Sequence, residues 1–506
     1  MPIETELKLQ LDPRHIARLR DHPLIKRATQ TESRKLYNIY YDTPDLNLWR
    51  AGIGLRLRRA GTRWIQTIKT GGDVAAGMHR RNEFEAEVAG KFPDFSLMEG
   101  EFTAQFADPE LRARLQPLIV TEFTRISCLL RPARGTVIEA SIDQGSITSG
   151  DESEPLCELE LEVKTGPPWR AYQAALQLLE SVPLLVEDRS KAERGISLYL
   201  HREYLPRKAQ PSPVTADMTC NDAFKALVQT CLAHYVANQR GVLENADPEY
   251  LHQARVALRR LRSVFNTFSP LLPAPALAAM SADTRWFSHE LGRARDWDVF
   301  ADETLAPVSA RHRGKPGMAV LARSVLRLRM AANSEVRREV ASARGQALLL
   351  SLGGWLSAES WIERLNAAQR GKLQEPVAGF AQTVFDAASR RVSKRGRNID
   401  SLGPRELHSL RIAVKKLRYA GDFFAALYPR KRSKPYLARL AGLQEVLGII
   451  NDTAATPRLL AAFEAPGTVP RAALDLVADW NTAIHARELK RLARAWPQFK
   501  RAKTFW

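Results

Sequence analysis

The sequence has only four cysteines in 506 residues, and they show none of the spacings that metal-binding cysteine motifs use. We therefore expect reduced thiols rather than a disulfide framework or a zinc site. No window approaches the roughly 18 uninterrupted apolar residues that a membrane-spanning helix needs. A basic segment followed by an apolar one, as in a secretory signal, is also missing at the start. Together these absences predict a cytoplasmic protein that does not enter a membrane.

Acidic residues are scarce relative to basic ones. The chain has 56 Asp and Glu against 75 Lys and Arg, a formal net charge of +19 and a pI near 9.9. Such an excess indicates a polyanionic partner: nucleic acid, an anionic membrane surface or polymeric phosphate. Composition alone does not choose among these three. The length predicts two or three domains, because one hydrophobic core rarely serves so long a chain.

The hydrophobic pattern changes near the middle of the chain. Before that point, several segments alternate polar and apolar residues with the period of two that indicates a strand with one apolar face. These segments are residues 3–9, 54–59, 63–69, 82–88, 136–143 and 156–164. From Thr219 onward, apolar residues recur at the three- and four-residue spacing of helices, and residues 201–218 between the two parts contain three prolines. We predict a β-rich domain over 1–202, a linker over 203–218 and an all-α region over 219–500.

The polar faces of the predicted strands are almost entirely ionised. Glu4, Glu6 and Lys8 share one face of the first strand, and Glu158, Glu160, Glu162 and Lys164 share one face of the last. A sheet whose polar face meets water is the simplest explanation. Repeated Glu-x-Glu pairs repel each other unless a cation lies between them, however. Carboxylate pairs suit Mg²⁺ or Mn²⁺, and the interspersed Arg and Lys suit phosphate oxygens.

These residues resemble the CYTH family, the triphosphate tunnel metalloenzymes. Glu4-x-Glu6-x-Lys8 is similar to the family's ExExK signature, and further segments match in the family's order over roughly residues 1–200. The segments are YYDTPDLNLW (40–49), GLRLR (54–58), QTIKT (66–70), RNEFE (81–85), ELELEVK (158–164) and SKAERG (190–195). The resemblance implies an eight-stranded antiparallel β tunnel that binds triphosphate compounds with a divalent metal. Family members hydrolyse inorganic or thiamine triphosphate, and some make cyclic AMP.

Position by position, the resemblance implies three groups of site residues. The implied metal ligands are Glu4 and Glu6, joined by one or more of Glu158, Glu160 and Glu162. The implied phosphate-binding residues are Lys8, Arg56, Arg58, Lys69, Arg81, Arg125 and Lys191. Residues that would help to bind a second metal or orient the attacking water are Glu83, Glu85, Glu139 and Asp143. For catalysis we single out Glu83, Glu85, Lys8 and Arg56; the chemistry needs no Ser, Cys or His nucleophile.

A second pattern is an internal duplication in the helical part. LHQARVALRRLR (251–262) recurs as LHSLRIAVKKLR (407–418), with six of twelve positions identical and an offset of 156 residues. LGRARDWD (291–298) and LGIINDTA (447–454) share Leu, Gly and Asp at the same offset. Two matches at one offset indicate a duplication. We place the two repeats at about 219–370 and 371–500.

Each repeated helix carries a basic stripe with scarcely an acid in it. The His, Arg and Lys residues fall at i, i+3, i+7 and i+10, which is one face of a helix. They are His252, Arg255, Arg259 and Arg262 in the first copy and His408, Arg411, Lys415 and Arg418 in the second. A solvated face is one explanation, but two such stripes repel themselves without an anion. Nucleic acid is disfavoured, because aromatic residues are not interleaved as base stacking requires.

The paired His-x-x-Arg helices resemble the CHAD domain, a duplicated helical bundle often found behind CYTH. The resemblance covers about residues 215–500 and implies a basic groove that binds inorganic polyphosphate, with the adjacent Arg260 and Lys416 also on its helices. A further basic cluster, Arg390, Arg391, Lys394, Arg395 and Arg397, either widens this groove or is merely solvated.

The sequence thus predicts an α+β multidomain protein, a CYTH tunnel followed by a duplicated all-α CHAD domain. We expect metal-dependent hydrolysis of inorganic triphosphate with Mg²⁺ or Mn²⁺, together with binding of inorganic polyphosphate. Association with polyphosphate granules in the cytoplasm would follow from such binding. The alternatives are a non-catalytic polyphosphate adaptor and a hydrolase of another compound such as thiamine triphosphate.

Overall fold

The computed structural model describes residues 3–98, 101–272, 274–463 and 469–506. In these ranges nine strands form one sheet in which every pairing is antiparallel. The strands are β1 (Ile3–Leu11), β2 (Thr29–Asp42), β3 (Ile53–Ala60), β4 (Arg63–Ala75), β5 (Met78–Val88), β6 (Gln116–Leu130), β7 (Val137–Ser149), β8 (Glu152–Thr165) and β9 (Leu184–Val186).

The sheet closes on itself into a tunnel. Its order is β5-β4-β3-β2-β6-β7-β8-β1-β9, and β1 also pairs with β5. The first eight strands therefore form a ring, as the sequence predicted, and the short β9 adds to the side of β1. Closure removes the free edges that an open sheet would expose. It also gives the sheet an inner face, on which ionised side chains can be shielded from bulk water.

Alternation along each strand separates the two faces of the ring. In β3, Leu55 and Leu57 are buried on the outer face, where they pack in one apolar cluster with Phe102 and Phe106. The intervening Arg56 and Arg58 line the interior. The hydrophobic core of this part therefore lies between the ring and the segments that cover it. The polar positions of the pattern face inward.

Short helices connect and cover the strands. They are α1 (Ile16–Asp21), α2 (Pro23–Lys26), α3 (Asn47–Arg50), α4 (Glu101–Gln105), α5 (Pro109–Arg114), α6 (Trp169–Leu179) and α7 (Lys191–Tyr199). Helix α7 begins with a capping box, in which the Ser190 hydroxyl accepts from the Glu193 amide and the Glu193 carboxylate accepts from the Ser190 amide. This cap fixes the first helical residue, Lys191, against the ring.

The rest of the chain is helical. The helices are α8 (Cys220–Glu244), α9 (Pro248–Phe268), α10 (Ala274–Val299), α11 (Ala306–Arg311), α12 (Met318–Ala341), α13 (Ala343–Ala358), α14 (Ala367–Gln374), α15 (Val377–Arg395), α16 (Pro404–Phe424), α17 (Arg430–Leu460) and α18 (Arg471–Lys500). A π-helical turn, Phe300–Leu305, joins α10 to α11. Residues 202–215 form neither helix nor strand. No helix within the described ranges combines the length and the apolar character needed to cross a membrane.

The duplication is visible in the helix bounds. Helices α9 and α16 both span 21 residues, both start with proline at the first helical position, and their starts and ends differ by the same 156 residues. Each buries the side of the helix opposite its basic stripe, with Leu258 and Leu261 in α9 matched by Val414 and Leu417 in α16. The repeated sequence therefore produces a repeated amphipathic helix.

The chain divides into two compact units. Unit 1 comprises the chain up to Pro206 together with Gln239–Leu243 and Val340–Ser360. Unit 2 comprises Arg207–Asn238, Glu244–Glu339 and Trp361–Trp506. Two short segments that follow the predicted linker thus pack with the tunnel. The boundaries at residues 202 and 219 stay a prediction.

Candidate functional site

The interior of unit 1 contains a cavity of about 650 Å³ lined by ionised side chains. Among the described residues, eight acidic and eight basic side chains line it, so its formal charge at neutral pH is zero. The acids are Glu4, Glu6, Glu83, Glu85, Glu139, Glu160, Glu162 and Glu193; the bases are Lys8, Arg56, Arg58, Lys69, Arg81, Arg125, Lys164 and Lys191. All seven residues expected to bind phosphate are in this set. Glu158, an expected metal ligand, and Asp143, expected to help bind a second metal, are not.

Strand register brings three carboxylates side by side. Glu162 of β8 lies opposite Glu6 of β1 on one side and opposite Glu139 of β7 on the other. This acidic row is balanced by two ammonium groups: Lys8 Nζ lies 2.9 Å from Glu6, and Lys164 Nζ lies 2.6 Å from Glu162. Glu4, two residues before Glu6, forms an ion pair with Lys69. The row draws on three strands, so no single stretch of sequence contains it.

Burial disfavours the charged form of the Glu4, Glu6 and Glu162 carboxylates unless a cation lies beside them. Burial raises the pKa of Glu4 and Glu162, and the nearby Glu6 charge adds to the effect at Glu4. Burial alone would also raise the pKa of Glu6, but the Lys8 ammonium outweighs it and the pKa falls to about 2. A hard divalent cation with oxygen ligands would favour the charged form of all three. The carboxylates of Glu4, Glu6 and Glu162 supply oxygen donors of the kind that hard divalent cations take.

In a second acidic cluster, of which only Glu160 lines the cavity, the space between the carboxylates is occupied by protein cations. Carboxylate oxygens of Asp143, Glu158 and Glu160 lie within 4.8 Å of one another, close enough to share a metal ion. The Lys191 ammonium stands among them, 2.7 Å from Asp143 and 2.9 Å from Glu160. Arg125 donates two hydrogen bonds to Asp143, each 2.7 Å long.

Asp143 and Glu158 are almost fully buried, at 0% and 1% exposure, and are engaged by these cations. The cluster is therefore an ion-pair network that anchors Lys191 and Arg125. Burial raises the pKa of Glu158, whereas at Glu160 the charges of Lys191 and Lys8 outweigh burial and hold the pKa well below its usual range.

Arg58 is a half-buried cation of the cavity that is suited to bind an external anion. Its Nε donates to Asn38 Oδ1 at 2.9 Å, and it forms no ion pair within the described part of the chain. Burial, together with repulsion from Arg56 and Arg125, lowers its pKa to about 10. Such a cation gains from any phosphate oxygen that reaches it.

The predicted catalytic carboxylates, Glu83 and Glu85, lie on β5, which is the neighbour of β1 in the ring. Glu83 Oε1 is 3.2 Å from Lys69 Nζ, and Glu85 accepts a hydrogen bond of 2.9 Å from the Thr67 hydroxyl. Arg56 donates to the same hydroxyl at 2.9 Å and lies 3.5 Å from Glu85. Thr67 therefore fixes the position of Glu85 relative to Arg56. Both carboxylates line the cavity.

In unit 2, the two basic stripes face each other. Burial, with Arg259 and Arg295 among its charged neighbours, lowers the pKa of Arg255 to about 10. Burial also lowers the pKa of Lys415 on α16, with repulsion from Arg411 and from Arg259 on α9, to about 7. Charges on one helix thus act on the other. Exposed His408 accompanies them at the start of α16, its Nδ1 2.8 Å from Asn451 Oδ1.

Three basic residues that were predicted to bind polyphosphate have surroundings that differ from those of Arg255 and Lys415. Arg260 is 7% exposed and points into the core, over the ring of Phe423. The Arg418 guanidinium donates to Asp422 within its own helix at 3.1 Å, and Arg262 lies near Arg285, whose charge adds to burial in lowering the Arg262 pKa.

Lys416 projects from a different face of α16. Its pKa is lowered by partial burial and by repulsion from Arg391 and Arg395. These two arginines, with Lys394, Arg397 and Arg405, line a separate cavity of about 680 Å³. Arg390 does not line it. The second basic cluster therefore forms its own surface.

Some residues of these sites were not singled out from the sequence. Arg194 connects Glu154, at 3.1 Å, to Glu158, at 3.4 Å, and so supports the network around Lys191. It lies within the matched SKAERG segment, which could have drawn attention to it. Gly292 allows Arg255 to cross α10, since a Cβ there would lie 2.7 Å from Arg255 Nη1. The glycine shared by the two copies of the Leu-Gly segment is the sequence feature that could have identified this position.

Comparisons with known proteins divide the chain in the same way. The CYTH domain model matches residues 2–196, and the CHAD domain model matches residues 226–461. An inorganic triphosphatase of Haemophilus influenzae is 31% identical over 202 residues, which are 38% of this chain and 54% of that protein. The chain thus spans about half the length of that curated relative.

Two further relatives extend into the helical part. An uncharacterized protein of Mycobacterium tuberculosis is 24% identical over 431 residues, 78% of this chain and 77% of that one. The crystal structure of the CHAD domain from the plant Ricinus communis matches with 31% identity and a TM-score of 0.52, covering 60% of this chain and 100% of that one.

Proposed function

The chain belongs to the CHAD domain family and carries a CYTH domain, and from this premise we propose that it hydrolyses inorganic triphosphate to diphosphate and phosphate in the tunnel. We further propose that the basic stripes of the helical part bind inorganic polyphosphate. The single observation that carries the first proposal is the closed cavity lined by equal numbers of acids and bases. The relative named inorganic triphosphatase supports the choice of substrate.

The charge balance of the cavity supports metal dependence. Because the lining has no net formal charge, a multiply charged anion that entered alone would bring uncompensated negative charge into a partly desolvated space. Divalent cations that accompany the anion remove this penalty. Glu4, Glu6 and Glu162 are the proposed ligands, and a bound metal would act as a Lewis acid on the scissile phosphoryl group.

The chain's own residues supply the rest of the chemistry. The phosphate oxygens are bound by Lys8, Arg56, Arg58, Lys69, Arg81, Arg125 and Lys191. Within the described residues, Arg58 and Arg81 form no ion pair that would have to break first. Glu83 and Glu85 orient the attacking water. Phosphoryl transfer needs mainly positioning and charge stabilisation, so this set is sufficient without a covalent nucleophile.

For the helical part, the supporting observation is mutual repulsion across two helices. Burial and, after it, repulsion from neighbouring cations lower the pKa of Arg255 and Lys415, which supports a site where an anion would stabilise the charged forms. A linear polyanion that runs between α9 and α16 would relieve it, with His252, Arg255, Arg259, Arg411 and Lys415 as the contacting residues. The inward-pointing Arg260 is left out of this set.

One experiment separates the enzyme from a non-catalytic adaptor. Phosphate release from inorganic triphosphate, ATP, thiamine triphosphate and long-chain polyphosphate is measured with Mg²⁺, with Mn²⁺ and with a chelator. We expect metal-dependent release from triphosphate, and a loss of at least 10²-fold in the double variant Glu4→Gln, Glu6→Gln. Polyphosphate binding should survive in that variant. Release from none of the four compounds would refute the enzymatic proposal and leave the adaptor; preferential release from thiamine triphosphate would replace the substrate.

A further inference from the structure

Helix α13 lies within the residues that the CHAD domain model matches, yet it belongs to unit 1 and packs beside the tunnel. Its residues Gly353 and Gly354 sit against the Tyr172 side chain of α6. A Cβ on Gly353 would lie 2.4 Å from the Tyr172 ring, so only glycine permits this approach. Glycine in a helix interior costs about 1 kcal/mol relative to alanine. The close packing offsets that cost.

The same helix completes the exposed edge of the sheet. Strand β9 pairs with β1 on one side only, and no other described strand covers its outer edge. There Gln346 Oε1 accepts a hydrogen bond of 2.9 Å from the Val186 amide. The Val186 carbonyl accepts one of 3.2 Å from Gln239 Nε2, on the α8 segment of unit 1. Two side-chain amides thus replace the missing neighbouring strand.

The two glutamines form a closed network. Gln346 Nε2 donates to Gln239 Oε1 at 2.9 Å and to the Val340 carbonyl at 2.7 Å. Gln346 is fully buried and Gln239 is 4% exposed. Both donors and the acceptor of Gln346 are therefore used. Such satisfied buried networks fix one geometry, because any movement leaves a polar group without a partner.

The segment that this network holds leads directly to a cation of the cavity. After Val186, the Glu187 amide donates to the Lys8 carbonyl at 3.2 Å, and Asp188 Oδ1 accepts from the Gly77 amide at 2.6 Å. Five residues beyond Val186 stands Lys191, whose ammonium lies in the Asp143, Glu158 and Glu160 cluster and faces the cavity. A shift of β9 would displace that ammonium.

We propose that Gln346 is a positioning residue for Lys191, so that substrate binding in the tunnel depends on a helix encoded more than a hundred residues after the tunnel strands. This inference rests on the proposed function in one respect: Lys191 is taken to bind a phosphate group. Gln346 itself touches neither the cavity nor the substrate, and it acts through Val186.

The test uses the full chain with Gln346→Met, which keeps the side-chain length and removes every hydrogen bond. Its matched control is Leu350→Ala, since Leu350 is fully buried on the same helix and its side chain has no hydrogen-bonding group. Both variants should lower the melting temperature. In Gln346→Met we expect the KM for triphosphate to rise about tenfold with kcat within about twofold, because a ground-state contact is misplaced. Leu350→Ala should leave KM unchanged.

A second measurement is independent of activity. Amide hydrogen exchange over residues 184–191 should accelerate at least tenfold in Gln346→Met, well below the melting temperature, and stay at the wild-type rate in Leu350→Ala. Equal KM changes in the two variants, or unaltered exchange over 184–191 in Gln346→Met, would overturn the proposal. If the wild-type protein releases no phosphate from triphosphate, the proposed function fails, and the exchange rates still decide whether Gln346 positions the segment.

Discussion

Lys415 should make polyphosphate binding depend on pH in a range where most lysines do not titrate. In the free protein, burial and the charges of Arg411 and Arg259 lower its pKa from 10.5 to about 7. A bound polyanion would return the pKa to at least its ordinary value, because it stabilises the ammonium. Binding above pH 7 must then take up a proton.

The magnitude follows from linkage between protonation and binding. Between the free and the bound pKa, affinity should fall about tenfold per pH unit, or about 1.4 kcal/mol, as the pH rises. From pH 7 to pH 9 the predicted loss approaches 10²-fold, reduced to the extent that salt screens the interaction. Burial and the Arg295 charge lower the pKa of His252 in the free protein, so a proton that this ring takes up on binding would add to the slope and not oppose it.

The free energy of unfolding of the free protein should change with pH in the opposite direction from the affinity for polyphosphate. Protonated Lys415 destabilises the free folded protein, fully below about pH 7 and less and less as the pH rises toward 10.5. Polyphosphate should therefore raise the melting temperature more at pH 7 than at pH 9.

The assay is titration calorimetry with long-chain polyphosphate at pH 7, 8 and 9, in buffers of different ionisation enthalpy that reveal the protons taken up. In Lys415→Arg the charge is permanent, so the pH slope should flatten. The exposed Lys434 provides the control variant Lys434→Arg, which should keep the wild-type slope. A wild-type affinity that does not change between pH 7 and 9, or an equal slope in Lys415→Arg, would refute the reasoning.

Two further predictions concern unit 1. Arg58→Ala should raise the KM for triphosphate by 10- to 100-fold and leave the melting temperature unchanged or slightly higher, because it removes a half-buried cation that has no carboxylate partner among the described residues. A clear loss of stability with normal KM would contradict the role assigned to Arg58. Gly353→Ala should destabilise unit 1 by about 1–3 kcal/mol through overpacking on Tyr172. The control is Gly371→Ala, because a Cβ at Gly371 would meet no atom within 4 Å. This substitution should be neutral or stabilising in the same thermal-unfolding assay. Equal effects of the two substitutions would exclude the packing explanation.

Alternation identified the strands that have one apolar and one ionised face. β1, β3, β4, β5, β7 and β8 each contain a segment predicted in this way. Alternation did not predict β2 and β6, because their residues do not separate into one apolar and one ionised face. The first seven residues of β2 are exposed, so neither face needs apolar residues. In β6, Leu118 and Ile119 are both buried, so successive residues on the two faces are apolar.

Much of the composition of the cavity could be predicted, whereas the pairing within it could not. The alternation of a strand indicates which of its side chains lie inside the ring. The resemblance to the CYTH family implied that Lys191 binds phosphate. Only the closed fold brings Lys191, from the start of α7, among the carboxylates of β7 and β8. The inward direction of Arg260 likewise depends on how α9 packs. The roles of the cavity residues remain predictions for the experiments above.

Because the cavity contains equal numbers of acids and bases, the formal charge of its lysines and arginines is neutralised by its own carboxylates before any substrate enters. Each lysine or arginine that turns to a phosphate oxygen leaves a carboxylate, such as Glu4 beside Lys69, without its counter-ion. That carboxylate then has a higher affinity for an incoming cation than it had before. Anion and divalent cation should consequently load together, each strengthening the retention of the other, and leave together when the anion is split. Low ionic strength would do little to draw anions to so balanced an interior, in contrast to the exposed basic surfaces of the helical unit.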